Sequence, residues 1–237
     1  MKAPTPPPAR TPRLALAPLA LIGAAVWAFF SIAGEVSEGE TRAMDQAMLL
    51  WLRTPGDLND PIGPGWLEVM MRDFTGLGGV GILSLVVLAT AGWFLMRREV
   101  RTAGFVVLAT TVGMTMSSLF KSLYERPRPD LVPHGTMVST ASFPSGHSMM
   151  SAVVWLTVAL VIARSLDTLR LKVFVVTVAV FIVTLVGISR VYLGVHWPTD
   201  VIAGWSLGSA WALLCAVAAS WLGRHRQIEP QAEDRKS

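Results

Sequence analysis

Three short polar segments carry residue types that can do chemistry together: KSLYERPRP at 121–129, FPSGHS at 143–148 and SRVYLGVHWPTD at 189–200. In the third segment, Asp200 follows His196 by four residues, and Pro198 suits the first turn of a helix. At that spacing the carboxylate can reach the imidazole, fix its tautomer and leave the other ring nitrogen free. The segment therefore offers a histidine activated as a nucleophile or a base.

The other charged residues of these segments favour an anionic ligand, and phosphate in particular. Lys121, Arg128 and Arg190 are cations, and planar guanidinium groups match the oxygens of phosphate in pairs. Ser145 is a candidate N-cap of a helix that begins at PSGH. A helix start offers free N–H groups and a partial positive charge, which also attract an anion. We therefore predict a phosphate cage around the two histidines of the segments.

A metal site is the alternative for the same residues. His147, His196 and Asp200 match the two-histidine, one-carboxylate set that binds nonheme iron. The three neighbouring cations would repel a divalent ion, so the phosphate interpretation accounts for more of the charged residues. We therefore expect neither a metal nor another cofactor. The single cysteine, Cys215, excludes a disulfide framework and a cysteine metal cluster.

The elements that must position these segments are membrane helices. Only 15% of the residues are charged, against about 25% in an average soluble chain, and every charged residue lies outside six apolar stretches. A bilayer core needs roughly 20 helical residues to span it, and a spanning segment must satisfy its own backbone polar groups. The predicted fold is therefore an all-α integral membrane protein, a six-transmembrane-helix bundle that forms one domain at 14–222. Its spans are expected at about 14–34, 77–96, 102–120, 146–163, 173–188 and 201–222.

Charge asymmetry predicts the orientation in the membrane. The connections on the side of both termini carry 13 Lys and Arg, and the opposite connections carry seven. The positive-inside rule therefore places both termini in the cytoplasm, with a disordered lead at 1–13 and a tail at 223–237. The three polar segments share the noncytoplasmic surface, and the pattern suits a bacterial inner membrane. The alternative for the first stretch is a cleaved signal peptide, since Ser31-Ile-Ala33 loosely resembles a cleavage site.

The outer connection at 35–76 is long enough to hold structure of its own. Apolar residues at helical spacing predict a short helix that lies in the membrane interface or packs on the bundle: Met44, Ala47, Met48 and Trp51. We favour this interpretation over a substrate-selecting lid. The following TPGDLNDPIGPG at 54–65 is typical of a loop.

The three polar segments closely resemble the signature of the type 2 phosphatidic-acid phosphatase superfamily, which also includes bacterial nonspecific acid phosphatases and vanadium-dependent haloperoxidases. That signature is a lysine, six residues and Arg-Pro; then Pro-Ser-Gly-His; then Ser-Arg, five residues, His, three residues and Asp. The matching residues are Lys121, Arg128-Pro129, Pro144 to His147, Ser189-Arg190, His196 and Asp200, and no position departs from the pattern. Six predicted spans agree with the membrane branch of the superfamily, whose active site lies at the outer face of the bundle.

The resemblance implies a role for each matching residue. His196 would attack phosphorus to give a phosphohistidine, Asp200 would orient its ring, and His147 would act first as general acid and then as base. The phosphate oxygens would be held by Lys121, Arg128, Ser145, the N–H of Gly146 and Arg190. The implied activity is a metal-independent lipid phosphatase of the phosphatidic acid phosphatase, phosphatidylglycerophosphatase or undecaprenyl-diphosphatase type, and lipid A phosphate is a further candidate substrate.

Two other functions stay open. A vanadium-dependent haloperoxidase would hold vanadate in the same cage, and a noncatalytic phospholipid-binding or transport protein would use the cage for recognition alone. The membrane explains the net charge of +4, so we expect a lipid phosphate partner and no nucleic acid. Arg126, Asp130 and His134 match no position of the signature and are expected as solvated loop residues, with Arg126 a candidate secondary phosphate contact. Neither the physiological lipid nor the oligomeric state follows from the sequence.

Overall fold

The computed structural model of the protein describes residues 13–134 and 140–226, with side chains described for 16–134 and 140–221. Most of the predicted lead and tail therefore lies outside the described residues. The described helices are α1 (Arg13–Glu38), α2 (Arg42–Trp51), α3 (Gly65–Gly76), α4 (Val80–Met96), α5 (Val100–Tyr124), α6 (Gly146–Ser151), α7 (Thr157–Ser165), α8 (Leu169–Tyr192) and α9 (Pro198–Arg226). A π-helical turn at Ala152–Leu156 joins α6 to α7, so that the three form one continuous helix.

Five helices within the described residues are long and apolar enough to cross a membrane, and the bent pair α3–α4 adds a sixth if it counts as one span. The prediction of a helical membrane protein is therefore confirmed. The second predicted span differs from the expectation, because α4 begins at Val80 and α3 joins it at an angle of 47°. Glycine is frequent at this break, and a Cβ at Gly78 would lie 2.5 Å from Val186 and 3.2 Å from the carbonyl oxygen of His147. The break thus brings the chain close to one of the signature histidines.

Burial separates the outer helices of the bundle from the central ones. Within the most apolar window of each span, only 11% of α1, 28% of α5 and 22% of α8 is buried inside the protein. The corresponding share is 56% for the continuous helix Gly146–Ser165 and 44% for α9. Large apolar side chains such as Trp27, Leu108 and Phe174 are exposed on the outer helices. In water such a surface would be unfavourable, whereas lipid solvates it.

The central contact of the bundle is a close approach of α6 and α9. A Cβ at Gly204 would lie 2.8 Å from the carbonyl oxygen of Ser145, and a Cβ at Gly208 would lie 2.5 Å from that of Met149. Small residues four apart on a membrane helix allow backbones to approach in this way. The glycines of α9 therefore set the distance between the PSGH segment and the helix that carries Asp200.

The outer connection confirms the predicted helix and corrects the predicted loop. In α2, Met44, Met48 and Trp51 are exposed. Met48 and Trp51 line one side of an apolar groove whose other side is formed by α8 and α9. The region at 54–65 was wrongly expected to be loop only, because β1 (Arg53–Thr54) pairs antiparallel with β2 (Asp57–Pro61). Its residues have low strand propensity, and side-chain hydrogen bonds supply the missing stabilisation: the hydroxyl of Thr54 donates to Asp60 at 2.8 Å.

Candidate active site

The turn between α8 and α9 places His196 at the end of the bundle where the other polar segments also lie. Gly194 adopts a left-handed conformation with φ of +72°, and the N–H of Val195 donates to the carbonyl oxygen of Arg190 at 3.2 Å. A Cβ at Gly194 would lie 2.6 Å from Val132, so both the backbone conformation and the space require glycine. The chain therefore reverses tightly just after Arg190 and just before His196.

The first turn of α9 fixes Asp200 through a capping interaction. Pro198 is the first helical residue, and the N–H of Trp197 donates to Oδ2 of Asp200 at 3.0 Å. An acidic side chain at the third helical position that accepts the N-cap N–H is half of a capping box. The carboxylate of Asp200 thus both faces His196 and stabilises the start of α9.

His196 is held in the tautomer that a nucleophile needs. Nη1 of Arg128 lies 3.1 Å from Nε2 of His196, and a guanidinium only donates, so Nε2 carries the lone pair. Nδ1 faces Oδ2 of Asp200 at 3.4 Å and Oγ of Ser142 at 3.3 Å. In the neutral ring the proton therefore lies on Nδ1, and the lone pair that can attack lies on Nε2, where it accepts from Arg128. The side chain of His196 is 2% exposed.

Two residues outside the predicted site complete the surroundings of Asp200. The hydroxyl of Ser142 donates to Oδ2 of Asp200, and Nη1 of Arg126 donates to Oδ1 at 2.6 Å. The other end of the Arg126 guanidinium donates to Asp45 of α2 at 2.7 Å. Asp200 is fully buried, and the donors around its carboxylate stabilise the negative charge against the cost of burial.

Two of the three signature cations, Lys121 and Arg190, have hydrogen-bond donors without a partner among the described residues. Nζ of Lys121 donates to the carbonyl oxygen of Ala141 at 2.6 Å, which leaves two of its three protons. Among the described residues, Arg190 donates only to Oγ1 of Thr75, at 2.7 Å, and its Nε has no partner although it is buried. Arg128 is more fully used, because it also donates to Val195 and Thr140. Buried donors without acceptors are unfavourable, so an anion between these side chains would satisfy them.

The start of α6 contributes an N-cap serine, Ser145, and a histidine, His147, whose ring nitrogens have no hydrogen-bond partner among the described residues. Oγ of Ser145 accepts from the N–H of Ser148 at 3.4 Å and from its hydroxyl at 2.9 Å, which confirms the expected N-cap. Ser145 is fully buried, and its own hydroxyl proton remains for another acceptor. The stem of Lys121 passes Gly146, because a Cβ there would lie 3.3 Å from Cε of the lysine. Within the described residues the ring of His147 forms no hydrogen bond, so its nitrogens are available to a ligand.

A model of the PAP2 superfamily matches residues 100–224 of this chain, a range that includes every signature residue. The chain belongs to the PAP2 superfamily. Phosphatidylglycerophosphatase B of Bacillus subtilis (strain 168) is 40% identical over 145 residues, which cover 60% of this chain and 70% of that protein. Undecaprenyl-diphosphatase of Sulfolobus acidocaldarius is 28% identical over 145 residues, which cover 59% of this chain and 66% of that protein.

The fold of a solved PAP2 protein is similar over most of the chain. The crystal structure of a transmembrane PAP2-type phosphatidylglycerolphosphate phosphatase from Bacillus subtilis aligns with a TM-score of 0.69 and 29% identity. The alignment covers 90% of this chain and 98% of that chain. The likeness therefore extends beyond residues 100–224 into the outer segments that hold α2 and α3.

Burial sets the protonation state of His196 in the PAP2 site. It lowers the pKa of His196 to about 3; the charges of Arg190 and Arg128 act in the same direction, while Asp200 opposes them. The ring is therefore neutral near pH 7, as a nucleophile requires. Burial also lowers the pKa of Arg128, although Asp200 opposes this shift, and an arginine keeps its charge at neutral pH.

All PAP2 signature residues predicted from the sequence lie at one end of the bundle, and the structure adds three residues that the prediction missed. Ser142 matches no position of the signature, and Asp45 and Thr75 lie in the outer connection at 35–76, for which no site residue was predicted. Arg126 was wrongly expected to be a solvated loop residue, since its side chain is 12% exposed and bonded to two carboxylates. His134 is exposed, as expected. Asp45 had one signal in the sequence: it is the one acidic residue of α2.

Proposed function

We propose that this protein is a membrane lipid phosphatase. It hydrolyses a lipid phosphomonoester or a lipid diphosphate through a phosphohistidine at His196, without a metal ion. The observation that carries the proposal is the fixed tautomer of His196, whose Nε2 lone pair faces Arg128 while Nδ1 faces Asp200. A site that only binds phosphate has a use for cations, but it has none for a histidine prepared in this way.

In the first step, Nε2 of His196 attacks phosphorus and the bond from phosphorus to the lipid oxygen breaks. Arg128 exchanges its contact with Nε2 for one with a phosphate oxygen, which frees the lone pair. His147 donates its proton to the departing lipid oxygen, and Asp200 stabilises the positive charge that forms on the His196 ring. In the second step, His147 takes a proton from water as the water oxygen attacks phosphorus. The bond to Nε2 breaks, and inorganic phosphate leaves.

The cations do the electrostatic part of the catalysis. General acid assistance contributes about 10² to 10⁴ in rate, and phosphate ester hydrolysis requires far more. Lys121, Arg128 and Arg190 surround the phosphate oxygens, whose charge rearranges in the transition state. Ser145 and the N–H of Gly146 complete the cage at the start of α6. Fixed protein charges thus take the part that a divalent metal plays in many phosphatases.

The substrate class follows from the position of the site at the end of a lipid-solvated bundle. A headgroup at the membrane surface reaches the cage while its hydrocarbon chains stay among the exposed apolar side chains of the spans. One relative is named for phosphatidylglycerophosphate and another for undecaprenyl diphosphate. We propose that this chain acts on a lipid of the same kind, with a phosphate at the end of its headgroup.

We further propose that the site faces the periplasm or the exterior of a bacterial inner membrane. The site lies between the end of α5 and the start of α6, and between α8 and α9. The opposite end of the bundle carries the connections richer in Lys and Arg, and the positive-inside rule assigns that end to the cytoplasm. Substrate would then reach the site from the outer leaflet.

Phosphate release in detergent tests this proposal. Purified protein is given phosphatidic acid, phosphatidylglycerophosphate and undecaprenyl diphosphate, with a metal chelator present throughout, beside the His196→Ala variant. We expect release that resists the chelator and falls by at least about 10³-fold in the variant. Binding of the lipids without release would instead favour the noncatalytic function, and halide oxidation with vanadate and peroxide alone would favour the haloperoxidase.

A further inference from the structure

A buried ionic network joins the outer helix α2 to the proposed active site. Nη1 of Arg126 donates to Oδ1 of Asp200 at 2.6 Å, and Nη2 donates to Oδ2 of Asp45 at 2.7 Å. The side chain of Arg126 is 12% exposed, and both carboxylates are fully buried. One guanidinium therefore bridges two buried carboxylates, and its flat geometry fixes their relative positions.

Asp45 also holds the backbone that carries Asp200. Its Oδ1 accepts the N–H of Thr199 at 3.0 Å, and its Oδ2 accepts the hydroxyl of Thr199 at 2.7 Å. Thr199 is the second residue of α9, where a helix has free N–H groups that need acceptors. Asp45 thus caps the start of α9 from another helix, one residue before Asp200.

Arg126 balances the negative charges of Asp45 and Asp200. Without the guanidinium, Asp45 and Asp200 would be two buried carboxylates with no cation bonded to either, because the remaining donors to Asp200 are Ser142, Trp197 and His196. Cζ of Arg126 also lies over the ring of Trp197, 5.6 Å from its centroid, and this cation–π contact helps to hold the guanidinium in place. The network therefore keeps Asp200 charged and aimed at the ring of His196.

We infer that Arg126 and Asp45 are positioning residues for phosphoryl transfer, although neither bonds to His196 or His147. They act through Asp200, and the inference rests on the proposed function. Asp45 lies in α2, outside residues 100–224 that the family model matches. The working site therefore includes an element outside the part of the chain that carries the PAP2 signature.

The test compares Arg126→Gln, Arg126→Lys and Asp45→Asn with wild type on one lipid phosphate. We expect Arg126→Gln to lower kcat about 100-fold and Asp45→Asn about 10-fold, with KM and the inhibition constant of inorganic phosphate within about threefold. Arg126→Lys restores one charge but not the bridge, so its kcat should lie between those of wild type and Arg126→Gln.

A double-mutant comparison separates positioning from loss of folding. In an Asp200→Asn background, Arg126→Gln should lower kcat less than threefold further, because the residue through which it acts is already changed. An additive effect would overturn the inference. The control is Val106→Ala in α5, which removes buried apolar atoms from a cluster that includes none of the residues of the network. Its kcat should stay within threefold, and a fall as large as that of Arg126→Gln would also overturn the inference.

The same measurements separate this inference from the proposed function. If wild-type protein releases no phosphate from any lipid phosphate, the proposed function fails. If wild type is active and Arg126→Gln retains full turnover, only the positioning role fails.

Discussion

Asp200→Asn should lower kcat strongly without removing substrate binding. The four groups that surround the carboxylate are all donors: Arg126, Ser142, the N–H of Trp197 and Nδ1–H of His196. An amide must place its NH₂ at one of the two oxygen positions. In one orientation the NH₂ faces Arg126 at 2.6 Å, and in the other it faces the N–H of Trp197 at 3.0 Å. Either arrangement sets a donor against a donor.

The expected fall in kcat of Asp200→Asn follows from those contacts. A hydrogen bond to a charged group is worth about 1.5–3 kcal/mol, and a buried donor left without an acceptor costs about 1–3 kcal/mol. Part of the strain can be relieved if His196 moves its proton to Nε2, but that tautomer has no lone pair for attack and meets Arg128. A total of about 3–4 kcal/mol in the transition state corresponds to a fall in kcat of roughly 10²- to 10³-fold.

The assay is steady-state phosphate release from one lipid phosphate in detergent, with kcat and KM measured separately. KM should stay within about threefold, because Lys121, Arg128 and Arg190 are untouched. Asp130→Asn is the matched control, since Asp130 is exposed and makes no hydrogen bond or ion pair among the described residues. If Asp200→Asn kept kcat within threefold of wild type, the orienting role would be refuted. A rise in KM with unchanged kcat would instead assign Asp200 to binding.

Three further predictions concern the surroundings of the site. Ser142→Ala should lower kcat about 10-fold in steady-state release, because Asp200 loses one donor, and full activity would contradict this role. Gly208→Ala should lower unfolding stability in detergent by about 1–3 kcal/mol, since its Cβ would lie 2.5 Å from a backbone oxygen; Gly104→Ala, with open space, is the control and should not. In the unfolded chain His196 is protonated below about pH 6.5, while in the folded protein its ring stays neutral to about pH 3. The free energy of unfolding should therefore decrease as the pH is lowered through that window. In His196→Gln the melting temperature should therefore fall less between pH 7 and 4.5, and an equal fall would contradict the buried neutral ring.

The sequence predicted the helices and the signature residues because both depend on local features. Apolar stretches of sufficient length predict spans wherever they occur, and the spacing from His196 to Asp200 is the spacing of one helical turn. The short helix α2 was also predictable from its periodicity. The hairpin at 53–61 was not, since its Asp and Asn residues favour turns. Side-chain hydrogen bonds that add to its backbone pairing form only in the folded chain.

The network around Asp200 could not be predicted, because it depends on contacts between residues far apart in the chain. Ser142 lies in a loop with no recognisable pattern, and Asp45 is 81 residues from Arg126. Arg126 and Arg128 are both arginines followed by proline, and only the fold shows that one faces Asp45 while the other faces His196. The bend between α3 and α4 likewise depends on packing against Val186 and His147.

The most direct test of the account is to trap the phosphorylated enzyme. His147→Gln removes the base of the second step, and a lipid diphosphate supplies a leaving group that needs little protonation, so the intermediate should accumulate. After quenching at alkaline pH, mass spectrometry should find phosphate on the peptide that contains His196 and on no other. Phosphate on a different residue, or no phosphoenzyme while the variant still turns over substrate, would contradict the account.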